Sequence, residues 1–93
     1  MRVRVVAFAT LGDLIGRNKV VELEEGATLG DLIEKLIREI GPHLREAIFS
    51  DDGSLHPFLK ILVNGRDVEF LEGLGTRLSD GDEVAIVPPA GGG

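Results

Sequence analysis

Apolar residues recur along this chain at two periods, and the switches between them mark out its elements. From Arg2 to Ala9 the period is two. Val3, Val5, Ala7 and Ala9 fall on one side and Arg2, Arg4, Val6 and Phe8 on the other, which predicts a strand packed on one face whose second face ends apolar. Thr10 to Asn18, with Gly12 and Gly16, reads as a loop. Lys19 to Glu24 alternates again, Val21 and Leu23 opposing Glu22 and Glu24, and two strands this close predict an antiparallel hairpin.

The period then changes to that of a helix over Thr28 to Ile40. Thr28 is placed to cap it, with Asp31 three residues later in the capping-box position near the positive end of the helix dipole. Leu29, Leu32, Ile33, Leu36, Ile37 and Ile40 form one apolar stripe, while Glu34, Lys35, Arg38 and Glu39 face water. Gly41-Pro42 ends the helix, and Pro42 to Phe49 fits a second short one with proline at its first position. Ser50 to Pro57 reads as loop. Phe58 to Val63 is an apolar run broken by Lys60, and Asn64-Gly65 predicts a tight turn into a strand over Arg66 to Glu69. Phe70 to Asp82, with Gly73, Gly75 and Gly81, reads as turns leading to a final strand, Glu83 to Val87, which Pro88-Pro89 terminates.

Two strands, a helix and further strands make an α+β chain. Its first and last strands are the most apolar short ones, as central strands are, and as neighbours they must run parallel. The expected architecture is a β-grasp, a mixed sheet of four to five strands with the Thr28–Ile40 helix packed on one face. Residues 1–89 form the domain and 90–93 a glycine-rich tail.

Charge narrows the functions available. Ten Lys and Arg against 16 Asp and Glu give a net charge of −6. That argues against nucleic acid, anionic membrane surfaces and acidic ligands, each of which needs clustered Lys and Arg. The absence of cysteine removes disulfides, thiolate metal sites, cysteine nucleophiles and thiol redox chemistry together. No apolar run approaches the roughly 18–20 residues that span a bilayer, and Met1-Arg2-Val3-Arg4-Val5 is unlike the apolar block of a signal peptide, so a cytoplasmic location is expected. With room for one small core in 93 residues, a binding or carrier module is favoured over an enzyme.

Candidate chemistry is sparse. His43 and His56 are the available bases and Ser50 and Ser54 the nearby hydroxyls, but no triad spacing is met, and solvated loop residues are the plainer reading. His43, Asp51, Asp52 and His56 neither share a helix face nor follow a metal-loop pattern, so no metal and no bound cofactor is expected. Gly73-Leu74-Gly75 begins like a dinucleotide fingerprint, yet no helix follows and the third glycine is missing. The tail differs. Pro88-Pro89 stiffen the exit, and Gly91-Gly92-Gly93 give a thread without side chains that fits a narrow channel, with a terminal carboxylate as the reactive group. A carboxylate is a poor electrophile at neutral pH, so a partner would have to activate it, most simply as an acyl-adenylate made from ATP and Mg²⁺.

The sequence resembles the MoaD/ThiS family of ubiquitin-like sulfur carriers over nearly its whole length. The resemblance rests on Val5 to Gly16, on Thr28-Leu29-Gly30-Asp31-Leu32-Ile33, on Ile61-Leu62-Val63-Asn64-Gly65-Arg66-Asp67-Val68, and on Leu78 through Pro89 to the glycine end. Asp80-Gly81-Asp82 before an apolar strand, two prolines and terminal glycines is the most specific block. Family members usually end in two glycines, whereas this chain has Ala90 and three.

The resemblance implies that Gly93 is adenylated by a ubiquitin-activating-type enzyme, MoeB- or ThiF-like, and converted to a thiocarboxylate that donates sulfur, with ATP and Mg²⁺ used by that partner. Among the branches it implies, the small subunit of molybdopterin synthase leads, its tail inserting into the large subunit. Ser50 to Phe58 resembles the longer MoaD-like and cysteine-synthesis carriers more than the thiamine ones. A ubiquitin-like modifier, or a carrier for cysteine, tRNA thiolation or thiamine, is the alternative, and a passive β-grasp interaction domain is a third.

A partner surface follows from the alternation. If Val3, Val5, Val21, Leu23, Ile61, Val63, Val84 and Ile86 face the helix, then Val6, Phe8, Lys60, Leu62, Ala85 and Val87 face outward as an unusually apolar open face for the activating enzyme and the acceptor. A loop or the short helix could instead cover it. Asp80, Asp82 and Glu83, taken as lying near the tail, could steer a basic partner, though a solvated turn is the simpler reading.

Overall fold

A computed structural model describes residues 1–89, and the predicted tail thread of Gly91, Gly92 and Gly93 lies outside the described residues. The elements run β1 (Arg2–Ala7), α1 (Ala9–Ile15), β2 (Asn18–Glu22), α2 (Leu29–Ile40), α3 (Pro42–Ile48), β3 (Lys60–Val63), β4 (Arg66–Asp67) and β5 (Glu83–Val87), with short 3₁₀ turns at Val68–Phe70 and Gly73–Gly75. The sheet order is β2-β1-β5-β3-β4. β1 and β5 are parallel, with Val5 opposite Val84. The β1–β2, β3–β5 and β3–β4 pairs are antiparallel. This is the expected β-grasp, with the first and last strands adjacent at its centre.

The core forms because two periodicities meet. Val3, Val5, Val21, Ile61, Val63, Val84 and Ile86 are buried on the inner face of the sheet, and Leu29, Leu32, Ile33, Leu36 and Ile37 of α2 are buried in the same cluster. Each fully buried leucine or isoleucine contributes roughly 1.5–3 kcal/mol of burial. The helix starts where predicted: the Asp31 amide donates to Thr28 Oγ1 at 3.3 Å, and the Thr28 amide donates to Asp31 Oδ2 at 2.9 Å. Gly41 stops it at φ 125°, and Pro42 opens α3. At the β3–β4 turn Asn64 and Gly65 both have positive φ, 51° and 82°, as a two-residue hairpin of matching twist demands.

Five elements differ from expectation. The largest is α1, where a loop was predicted. Leu11 and Ile15, four residues apart, are buried at 2% and 6% exposure, so one short helix carries them into the core. Gly12 is in that helix because of contact, not turn geometry: a Cβ there would stand 2.9 Å from the Ala7 carbonyl oxygen. β1 ends at Ala7, and Phe8 and Ala9 leave the sheet to start α1, Ala9 at φ 51° and exposed instead of facing the core. β2 stops at Glu22, leaving Leu23 only partly buried against the core. β3 begins at Lys60, Phe58 being 70% exposed. β4 spans only two residues, because Asp67 Oδ1 accepts the Glu69 amide at 2.9 Å and turns the chain into a 3₁₀ turn that buries Val68.

Helix propensity alone would favour alanine over glycine in α1. Because the obstacle at Gly12 is backbone, Gly12→Ala is expected to destabilise the domain instead, by about 1–3 kcal/mol in urea unfolding. Stabilisation would show that α1 can move away from the end of β1.

Candidate functional site: the tail root on the open sheet face

The parallel β1–β5 pairing sets where the chain leaves the sheet. Ala7 is opposite Ile86, and the Phe8 amide donates to the Ile86 carbonyl at 3.2 Å, so Val87, Pro88 and Pro89 emerge beside Phe8. Side chains alternating with the buried set point the other way. Val6, Ala85 and Leu62 are in register across β1, β5 and β3, and Lys60 opposite Val87 makes the next row. Phe8 is 47% exposed, and Val6, Leu62, Ala85 and Val87 are partly exposed and stand outside the core cluster. The five residues predicted to bind a partner, Val6, Phe8, Lys60, Leu62 and Val87, are thus brought together on one face around the root of the tail.

Ion pairs rim this patch. Arg4 meets Glu83 at 3.2 Å on one side. On the other, Lys60 Nζ lies 3.3 Å from Asp67 and 3.8 Å from Glu69. The Asp67 carboxyl is held below the ordinary carboxylate value, first by the Glu69 amide; partial burial opposes this, and the Lys60 ammonium adds to it. The Lys60 charge is therefore answered within the chain, and the surface it offers a partner is chiefly apolar.

Asp80, Asp82 and Glu83 do not lie near the tail root, contrary to the expectation from sequence. Asp80 and Asp82 precede Glu83, the first residue of β5, and the tail leaves from Val87 at the other end, about 13 Å away at strand rise. They are also engaged locally: Asp80 Oδ1 accepts the Arg2 amide at 2.7 Å, and Asp82 accepts the Ser79 amide at 2.8 Å and the Asn64 side-chain amide at 2.8 Å.

Of the residues weighed as nucleophiles and bases, Ser50, Ser54 and His56 serve a turn, while His43 is exposed in α3. Ser54 Oγ donates to Asp52 at 2.6 Å, which with the Ser54 amide lowers the Asp52 pKa, and His56 Nδ1 accepts the Phe58 amide at 3.3 Å. Among the described residues no three His, Asp or Glu side chains gather in a way that could hold a metal ion. No helix among them is long and apolar enough to cross a membrane.

One feature of the site escaped the sequence reading. A groove lined by His56, Pro57, Phe58, Lys60, Val87, Pro88 and Pro89 opens beside the tail root. The alternation did contain the signal: with Leu59, Ile61 and Val63 buried, Phe58 belongs to the outward set with Lys60 and Leu62.

With this geometry in place, the comparisons with known proteins agree on its class. The sequence model of the ThiS family matches residues 5–93. The chain is 43% identical, over 100% of its length and 98% of the relative's, to an Archaeoglobus fulgidus protein described as a sulfur carrier. It is 34% identical to small archaeal modifier protein 3 of Haloferax volcanii over the whole of both chains. Among solved structures, the crystal structure of the Haloferax volcanii modifier SAMP1 superposes with a TM-score of 0.83 at 33% identity, covering 100% of both chains. A Pyrococcus furiosus protein described as subunit 1 of a molybdopterin converting factor gives 0.75 at 33% identity, covering 97% of this chain and 99% of that one. CysO in the Amycolatopsis orientalis BexX/CysO complex gives 0.77 at 31% identity, covering 98% and 99%. The chain is a ubiquitin-like β-grasp protein of the sulfur-carrier and small-modifier class. It belongs to the ThiS family.

Because its folded pKa is depressed, Asp67 contributes stability at pH values above the ordinary carboxylate pKa, and that contribution is lost as pH falls through the folded value. Asp67→Ala is therefore expected to lower the melting temperature at pH 7, with the difference from the parent shrinking below about pH 4. A difference constant across that range would show that the carboxylate charge is irrelevant.

Proposed function

We propose that this chain is a sulfur carrier acting through the carboxylate of Gly93, threaded by Gly91 and Gly92 into the enzymes that serve it. The observation that supports this most directly is the exit of the chain at Val87-Pro88-Pro89 from the middle of the apolar face, where one partner surface can hold the face and receive the tail. In the proposed sequence the Gly93 carboxylate oxygen attacks the α-phosphorus of ATP on an adenylating partner, and pyrophosphate leaves. Sulfide then attacks the acyl carbon, AMP leaves with the bonding electron pair, and a thiocarboxylate remains. This chain supplies no acid, base or metal to either step. It positions the end and is otherwise a handle.

For the acceptor, the proposal keeps the large subunit of molybdopterin synthase, with this chain as the small subunit. The likeness to the Pyrococcus furiosus protein described as subunit 1 of a molybdopterin converting factor supports it. A second reading has its own support: the full-length match to a small archaeal modifier favours transfer of the same activated acyl group to a lysine amine, with AMP as leaving group.

Incubation with ATP, Mg²⁺, a cognate adenylating enzyme and sulfide is expected to raise the intact mass by the difference between sulfur and oxygen. Removal of Gly93 abolishes the gain. Phe8→Asp and Leu62→Asp, on the open face, should reduce conversion about 10- to 100-fold while circular dichroism stays that of the parent. An unchanged parent mass beside a converting known carrier would favour a passive β-grasp interaction domain, and loss of folding in both variants would overturn the assignment of the face.

A further inference from the structure

The apolar surface around the tail root does not stop at Val87. Lys60 is opposite Val87 in the antiparallel β3–β5 ladder, and Phe58, in the turn just before β3, lines one groove with Pro88 and Pro89. Phe8 on one flank and Phe58 on the other thus bracket the emerging chain, 47% and 70% exposed. We propose that Phe58 and its groove are a second anchor for the enzyme that acts on Gly93, gripping an apolar side chain at the rim of the channel that takes the tail. This rests on the carrier function proposed above, and it makes Phe58 a determinant of which enzyme is served.

Three observations lead there. The first is reach. Residues 90–93 separate Pro89 from the carboxylate that the proposed function uses, and four residues span at most about 14 Å fully extended. An enzyme that holds the Gly93 carboxylate in an enclosed site must therefore bring its own surface against the groove that Pro88 and Pro89 line.

The second is order. The segment carrying Phe58 is tied down at many points for a loop. The His56 amide donates to the Ile48 carbonyl at 2.8 Å, the Leu59 amide to His56 at 3.0 Å and the Ser50 amide to the Ser54 carbonyl at 2.8 Å. Phe49 and Leu55 form a β-bridge, and the Phe58 ring lies 6.0 Å from His56, centroid to centroid. An aromatic held in place while still exposed loses little conformational freedom on binding, which is the property of an interface anchor. The third is chemistry. Lys60 also lines the groove, but its ammonium is already paired with Asp67 and Glu69, so the groove favours an apolar occupant over a charged one.

The test is ATP–pyrophosphate exchange by a cognate adenylating enzyme, measured against carrier concentration. Phe58→Ser is expected to raise the half-saturating concentration about tenfold with the maximal rate and melting temperature kept, and Phe58→Leu to restore most of the affinity. Phe70→Ser, at a residue 85% exposed and outside the groove, should match the parent. Saturation of Phe58→Ser at the parent's concentration would overturn the proposal, as would an equal weakening by Phe70→Ser. A parent chain that supports no exchange overturns the carrier function and this anchor with it, whereas an active parent with an unaffected Phe58→Ser overturns the anchor alone.

Discussion

The parallel pairing of β1 with β5 is the constraint on which the rest of this molecule depends. A parallel neighbour cannot be reached by a tight turn, so the chain between the two strands must cross over, and here it does so through α2 and α3. That crossover covers one face of the sheet and forms the core. The same pairing places the C-terminal end of the last strand beside that of the first, so the chain leaves from the centre of the sheet and next to Phe8. In an antiparallel arrangement β5 would end at the other side of the domain, among Arg4, Asp82 and Asn64, where the surface is polar.

The central position of these two strands also explains why the open face is apolar. Strand residues flanked by neighbours on both sides lose surface to those neighbours whether or not a helix covers them. Val6, Ala85, Leu62 and Val87 are only partly exposed for this reason. The ion pairs at the margins, Arg4 with Glu83 and Lys60 with Asp67 and Glu69, set the edges of the apolar area. Exposed pairs of this kind contribute little stability each, so their main consequence is to keep the charges occupied.

How much of this was legible in the sequence depended on the length of each periodic run. The α2 stripe repeats over three turns and carries its own cap at Thr28 and stop at Gly41, so both ends could be read directly. The alternation in β1 and β5 was equally clear, and with Asn64-Gly65 it was enough to set the first and last strands side by side and to pair β3 with β4. The seven residues of α1 were too few for a period to emerge, and Gly12 and Gly16 argued for a turn. In fact Gly12 is required by the approach of α1 to Ala7, a tertiary contact that no local pattern reports. The end of β4 was lost similarly, since it is set by Asp67 capping the next turn. Of the five outward residues around the tail, Val6, Lys60, Leu62 and Val87 follow from strand register, and Phe8 continues the alternation one residue past β1. The Phe58 groove was missed because it depends on how Ser50 to Leu59 folds back against Pro88 and Pro89, even though Phe58 itself lies on the outward side of the count.

Under the proposed function, a carrier without a thiol has to solve a problem of delivery, and the division of labour between tail and face follows from it. Sulfur held as a terminal thiocarboxylate needs no cysteine in the chain, but the group must be made in one enclosed site and used in another. The glycine thread cannot by itself distinguish those sites, because each must accept the same residues. Selection therefore has to lie in the folded surface within reach of the thread, about 14 Å from Pro89. In that proposal the surface is the one β1, β3 and β5 assemble, and it must release each enzyme as well as hold it. A small apolar patch bounded by internally satisfied charges is suited to this: it gives binding energy through area, while adding no buried ion pair that would slow departure.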